Sequence, residues 1–251
     1  MIHPFTVGPM AVSSVAWFQG ESNLDNIGYY TCAQPALIRQ WRAAFSSNFF
    51  FGFVVLEPWS NWGFNRTQLP VFRQEQLAAL ALPNVGFAMA TDIGDPLSPF
   101  YSVHPRNKKA IGRRLANAAL SLQYSVGGLA WQPPAYLSAT VMGSGASASA
   151  TVLLRNVPTT LVPRADHCAT EYHVDAAQCA GFYLVGSDGL QYPANATVGG
   201  GGASNAVHLA AALPQGVDVI GTTFGFSTWP INTIATAEGL PLMPWNVTAV
   251  A

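Results

Sequence analysis

Apolar residues fall in short runs through the first half of the chain, each closed by a polar or turn-forming residue. Residues 12–18 form one such run, ending at Gln19-Gly20; residues 51–56 form a second, closed by Pro58, and residues 85–90 a third. Runs this short, without strict alternation, predict buried parallel strands. Between them the spacing turns helical. Pro35 opens a stretch with Ala36, Leu37, Trp41 and Phe45 on one side. Pro70 starts another through Gln76, Leu77 and Leu80, which Pro83 stops. Residues 105–122 place Ile111, Leu115, Ala119 and Leu122 at helical spacing. Strand, loop and helix in repetition predict an α/β layer on a parallel sheet.

After Trp131-Gln132-Pro133-Pro134 the pattern changes to short β-prone runs between Gly, Pro, Asn and Asp: residues 136–142, 150–154, 181–185, 206–210 and 217–220. These predict a small antiparallel β-sandwich, jelly-roll-like. Two domains are therefore expected, residues 1–130 and 131–251. The four glycines at 199–202 lack the lysine and serine of a phosphate loop and predict a turn.

Composition narrows the function. Hydrophobic residues make up 50% of the 251 positions and charged residues 9%, against about 25% charged in ordinary soluble domains; disorder and coiled coil are excluded. A formal net charge of -1 gathers no phosphate backbone, so no nucleic-acid partner is expected. No apolar run reaches the ~20 residues of a membrane span. The first eighteen residues contain His3 and Pro4 and no Lys or Arg, so no signal peptide is expected. Three Asn-x-Thr sequons, at Asn65, Asn195 and Asn246, nonetheless suit glycosylation in a secreted or lysosomal setting.

Two segments can carry chemistry. Trp17-Phe18-Gln19-Gly20-Glu21-Ser22-Asn23 follows the first strand, and open α/β sheets bind ligands at the carboxyl ends of strands. Gly20 permits close approach, with two amides and a carboxylate within one turn. In Ser102-Val103-His104-Pro105-Arg106-Asn107-Lys108, Pro105 suits a first helical position and sets His104 at the helix entrance, where it can serve as general base to a serine hydroxyl; the spacing alone favours a surface histidine beside a capped helix. Asp92 and Asp95, at the end of the third strand, are candidate acid partners. Five of the eleven basic residues lie between Arg106 and Arg114, and Arg106 could meet an acidic sugar. Cys168 and Cys179 suit a local disulfide, leaving Cys32 over. No metal or organic cofactor is expected.

Met1-Ile2-His3-Pro4, the block from Trp17 to Asn23, Pro35-Ala36-Leu37-Ile38-Arg39-Gln40-Trp41, the block from Ser102 to Lys108, Thr228-Trp229-Pro230 and Glu238-Gly239-Leu240-Pro241 resemble consecutive blocks of the sialate O-acetylesterase family. The resemblance implies an SGNH-type, flavodoxin-like hydrolase fold and a serine esterase acting on O-acetylated sialic acids or related acetylated sugars. It implies that His104 is the catalytic histidine and that Gln19, Gly20, Glu21 and Asn23 form the oxyanion and substrate pocket. Many relatives place an Asp two residues before the histidine, where this chain has Ser102. The family's nucleophile sits in a Gly-Gln-Ser-Asn block, and no Gly-Asp-Ser or Gly-Gln-Ser occurs among the 251 residues. The nucleophile is accordingly expected upstream of Met1, with Ser22 as the stand-in within the chain. Three parallel strands are fewer than doubly wound folds usually bring, so an incomplete sheet and little turnover by this chain alone are also expected. Two competing readings are a noncatalytic carbohydrate-binding remnant and an esterase of other acetylated polysaccharides.

Overall fold

In a computed structural model, residues 11–60, 68–168, 178–199 and 205–248 are described below. The chain divides into two compact units, Met1–Glu57 with Asn61–Gln132, and Pro58–Ser60 with Pro133–Ala251.

In the first unit the three apolar runs become the parallel strands β1 (Ser14–Trp17), β2 (Phe50–Val55) and β3 (Val85–Met89), in that spatial order. Val15 stands opposite Phe51, and Phe51 opposite Val85. Every residue of β2 and β3 is buried, whereas β1 alternates between exposed and half-buried positions. The helices are α1 (Tyr30–Ala44), α2 (Leu69–Gln76), extended by a 3₁₀ turn over Leu77–Ala81, and α3 (Lys108–Gln123). Helix α3 lies on β2 and β3, where Val54, Ala88, Ala90, Ile93 and Ile111 share a core. Gly52 and Gly86 face each other across β2 and β3. A Cβ on Gly52 would meet the Phe50 ring at 2.7 Å and Leu115 at 3.1 Å; on Gly86 it would meet Ala118 at 3.0 Å. The missing side chains are what let α3 sit this close.

Two helix starts differ from the sequence reading. Helix α1 begins five residues before Pro35, because the Ala33 N–H already bonds the Tyr29 carbonyl at 3.0 Å. Pro35 lies inside it, lacking an N–H for the Thr31 carbonyl. Helix α3 begins at Lys108, three residues after Pro105. The chain from His104 to Asn107 is held outside the helix by a turn at His104, whose N–H bonds the Tyr101 carbonyl at 2.9 Å, and by Arg106, whose N–H bonds Asp95 at 3.1 Å.

Among the described residues the second unit is antiparallel apart from one short parallel pair, Cys179–Ala180 with Trp229–Pro230. Its strands are β4 (Ala135–Met142), β5 (Ala148–Arg155), β6 (Leu161–Pro163), β7 (Cys179–Ala180), β8 (Phe182–Gly186), β9 (Gln191–Pro193), β10 (Asn195–Val198), β11 (Ala206–Ala211), β12 (Val219–Phe224), β13 (Trp229–Pro230), β14 (Ile234–Thr236) and β15 (Trp245–Val247). One four-stranded sheet runs β10-β11-β5-β4 and the other β15-β12-β8-β9. The alternation in β5 buries Ala148, Ala150, Val152 and Leu154, the period-2 pattern of a strand with one covered face. These side chains share a core with Phe182, Leu184, Phe224 and Trp245 of the facing sheet, which makes the unit a β-sandwich. The Phe182 and Phe224 rings stack at 4.4 Å, and the Trp245 indole N–H donates to Thr222 Oγ1 at 3.1 Å. Cys168 and Cys179 are joined in a disulfide, their Cα atoms 5.8 Å apart.

Candidate active site

The chain leaves β1 through Gly20, whose φ of +147° belongs to the region glycine favours. A Cβ there would lie 2.5 Å from the Phe72 ring, so only glycine lets the loop rest on α2. Glu21–Asn23 then forms one 3₁₀ turn, closed by the Asn23 N–H on the Gly20 carbonyl at 2.8 Å. Gln19 is spoken for: its amide N–H donates to Asn23 Oδ1 at 2.7 Å, and its Oε1 accepts from Tyr30 Oη at 3.0 Å. That contact turns the Asn23 amide so that its Nδ2 stays uncommitted, a neutral donor at the mouth of the loop. Trp17, Gln19, Asn23, Tyr30, Gln34 and Leu37 line a cavity of about 150 Å³ beside it. Ser22 is exposed.

Charge gathers on the other side of the loop. Burial raises the Glu21 carboxyl above the usual carboxylate range, against the pull of Lys108 and His104. The Lys108 ammonium, in the first turn of α3, lies 4.1 Å from the centre of the Phe18 ring. Glu57, two residues past β2, has no exposed surface. Burial pushes its carboxyl up to about 8, with Glu21 adding to the rise and Lys108 and Arg73 opposing it. Arg73 of α2 donates to the Leu56 and Glu57 carbonyls, each at 2.8 Å. Desolvation lowers Arg73 to about 9, so it remains a cation at neutral pH. Gln76 accepts from the Leu56 N–H at 3.0 Å and donates to the Val54 carbonyl at 2.9 Å, fixing the end of β2.

His104 is exposed, and its Nδ1 lies 2.8 Å from the Phe100 carbonyl. The structure thus brings His104, Glu21 and Lys108 into one electrostatic neighbourhood at the carboxyl ends of β1 and β2. The proposed acid partners are engaged elsewhere. Asp92 holds Arg114 through two bonds of 2.7 and 2.8 Å. Asp95 accepts from Arg106 Nε at 2.7 Å and Nη2 at 2.8 Å, which also holds the Asp95 carboxyl low. Arg106 thus commits Nε and Nη2 to Asp95 while more than half of its side chain stays exposed. Ser102 is buried. Glu57 and Arg73 escaped the sequence reading, and Lys108 entered it only as the end of the histidine block and a member of the basic cluster; the one signal for Glu57 was a carboxylate directly after an apolar strand run.

Away from this region, Asn195 and Asn246 are exposed, while Asn65 lies outside the described residues. Cys32 is an exposed free thiol.

No protein-family profile matches the chain. Mouse sialate O-acetylesterase is 38% identical over 154 aligned residues, covering 53% of this chain and 27% of that protein. The human protein of the same name is 36% identical over 149, covering 53% and 28%. A carbohydrate acetylesterase from Xanthomonas citri has a crystal structure that superposes on 98% of this chain and 52% of its own length. Its TM-score is 0.73 at 26% sequence identity. The chain thus spans about a quarter of the length of the curated relatives it matches. Over about half its length it is a homologue of proteins named sialate O-acetylesterase, and along nearly all of it the fold is similar to that of a carbohydrate acetylesterase.

Proposed function

We propose that the chain carries the base and the substrate-facing loop of an SGNH-type esterase that removes O-acetyl groups from sialic acids or related acetylated sugars. One observation supports this above the rest: Lys108, four residues past His104, lies 4.1 Å from the centre of the Phe18 ring at the start of the loop, which brings the two blocks together. A base and a strand-end loop so placed suit acyl transfer. Nε2 of His104 takes the proton of a hydroxyl as its oxygen attacks the acetyl carbonyl, then returns it to the leaving sugar oxygen. Water repeats the sequence on the acyl-enzyme and releases acetate. The Asn23 Nδ2 group and the N–H groups around Gly20 are donors suited to the tetrahedral oxyanion. The attacking serine is assigned to a Gly-Gln-Ser-Asn block that these 251 residues lack; Ser22 is the competitor within the chain. Exposed sequons at Asn195 and Asn246 suit a secreted or lysosomal enzyme.

Acetate release from an O-acetylated sialic acid tests this, comparing the 251-residue chain with one carrying a Gly-Gln-Ser-Asn block ahead of Met1. Release only by the longer chain, lost on His104→Ala, is expected. Robust release by the shorter chain, abolished by Ser22→Ala, would make Ser22 the nucleophile. Sugar binding without release by either would make the protein a carbohydrate-binding module.

A further inference from the structure

We propose that the backbone carbonyl of Phe100, set in place by the Ser98 hydroxyl, orients His104 where a serine–histidine–acid triad uses a carboxylate. The proposal rests on reading His104 as the base. A carbonyl oxygen can only accept, so the 2.8 Å contact to Nδ1 requires the proton on Nδ1 and leaves the Nε2 lone pair open. That is the tautomer a general base needs, and in triads the acid's main task is to impose it.

The loop is built to hold that carbonyl. Ser98, 9% exposed, donates from Oγ to the His104 carbonyl at 2.6 Å and accepts from the Phe100 N–H at 3.2 Å. One hydroxyl therefore ties the residue carrying the acceptor to the residue carrying the ring. Tyr101, between them, has φ of +67°, a conformation bulky residues adopt only when their surroundings impose it. Its N–H bonds the Ser98 carbonyl at 3.1 Å, and its own carbonyl accepts from the His104 N–H at 2.9 Å. The outer end of the loop is anchored by the Ser98 N–H on the Asp95 carbonyl at 3.2 Å and by the Arg106 clasp on the Asp95 carboxylate. Both nearby aspartates face arginines. A neutral carbonyl fixes the ring's direction and tautomer without adding negative charge. Ser98 and Phe100 are positioning residues, acting through His104.

Ring-nitrogen NMR of the ¹⁵N-labelled 251-residue chain decides the matter without substrate, so its outcome is separate from that of the acetate assay. The His104 signals are assigned by their loss in His104→Gln. At a pH where the ring is neutral, the expected result is an excess of the Nδ1–H form, reached by about a tenfold shift from the ratio of a free side chain, the change a single net hydrogen bond sustains. Free imidazole side chains lean the other way. Ser98→Ala should erase that excess, Ser98→Thr should restore it, and Asp92→Asn should leave it intact. An Nε2–H ring in the unaltered chain overturns the proposal, and that spectrum needs no variant to fold. So does an Nδ1–H preference that survives Ser98→Ala, or one that vanishes in Asp92→Asn.

Discussion

Glu57 places both carboxylate oxygens out of water, and neither has a side-chain hydrogen-bond partner among the described residues, a situation an ionised group tolerates badly. Its folded value of about 8 lies above the ordinary 4.5, so between those pH values the folded chain binds more protons than the unfolded chain. Stability from this group is complete below about pH 4.5 and falls as pH rises towards 8, by up to roughly 5 kcal/mol. Glu57→Gln, which stays neutral, should flatten that slope and raise the Tm at pH 8.5 while leaving it nearly unchanged at pH 4.5. An unaltered slope in the variant would assign the pH dependence to another group. At the loop, Asn23→Ala removes the uncommitted amide and releases Gln19. In a chain competent for acetate release it should lower kcat by about 10²–10³ with a smaller change in KM; an equal loss in binding would make Asn23 a ground-state contact. The strand-end position of the loop was legible in the sequence because an apolar run stops at Gln19-Gly20, whereas the roles given to the loop and to His104 came from the family resemblance of their blocks. Glu57 was not legible, since full burial of a carboxylate is set by tertiary packing and not by its place in the sequence. Ser98 was not legible either, because its hydroxyl acquires meaning only when the chain doubles back to His104.

Helix α3 contains two kinds of glycine contact, and they should answer substitution with opposite signs. Gly112, within the helix, has nothing within 4 Å of a built Cβ. Gly112→Ala should therefore stabilise by about 0.5–1 kcal/mol through backbone entropy. Gly86 of β3 faces the same helix, and a methyl there would stand 3.0 Å from Ala118 and from the Phe50 ring. Gly86→Ala should destabilise by roughly 1–3 kcal/mol, since packed interiors resist added volume. Urea titrations of the two variants check this; a stabilised Gly86→Ala would mean that α3 can retreat at little cost. Strands were well marked in the sequence, because β2 and β3 need continuous apolar runs to be covered on both faces. Helix starts were not. Proline rules assume that a helix begins where its sequence allows, whereas α1 draws on the Tyr29 carbonyl upstream of Pro35, and the Asp95–Arg106 clasp delays α3 to Lys108.

At the scale of the whole molecule the two units differ in how they are tied. The sandwich unit includes the Cys168–Cys179 bridge, and Cys32 in the first unit is free. A thiol reagent should label one cysteine in the native chain and all three after reduction. Reduction should cost the sandwich about 3 kcal/mol in the chain-entropy description, seen as a lower Tm for its transition; equal labelling before and after reduction would show the bridge absent in solution. The change of pattern after Pro134 was readable because alternation replaces continuous apolar runs, but which strands pair was not, since pairing partners lie far apart. β5 has β4 beside it early, yet its other edge is completed only by β11, where Val152 meets Val207 and Ala150 meets Leu209. On the ribosome that distance becomes time. At ~5–20 residues per second, the inner face of β5 emerges on the order of several seconds before its second neighbour exists. For that interval a nascent chain displays Val152 and Leu154 to whatever shares the tunnel exit, and a chaperone that reads short apolar strands would find its address there.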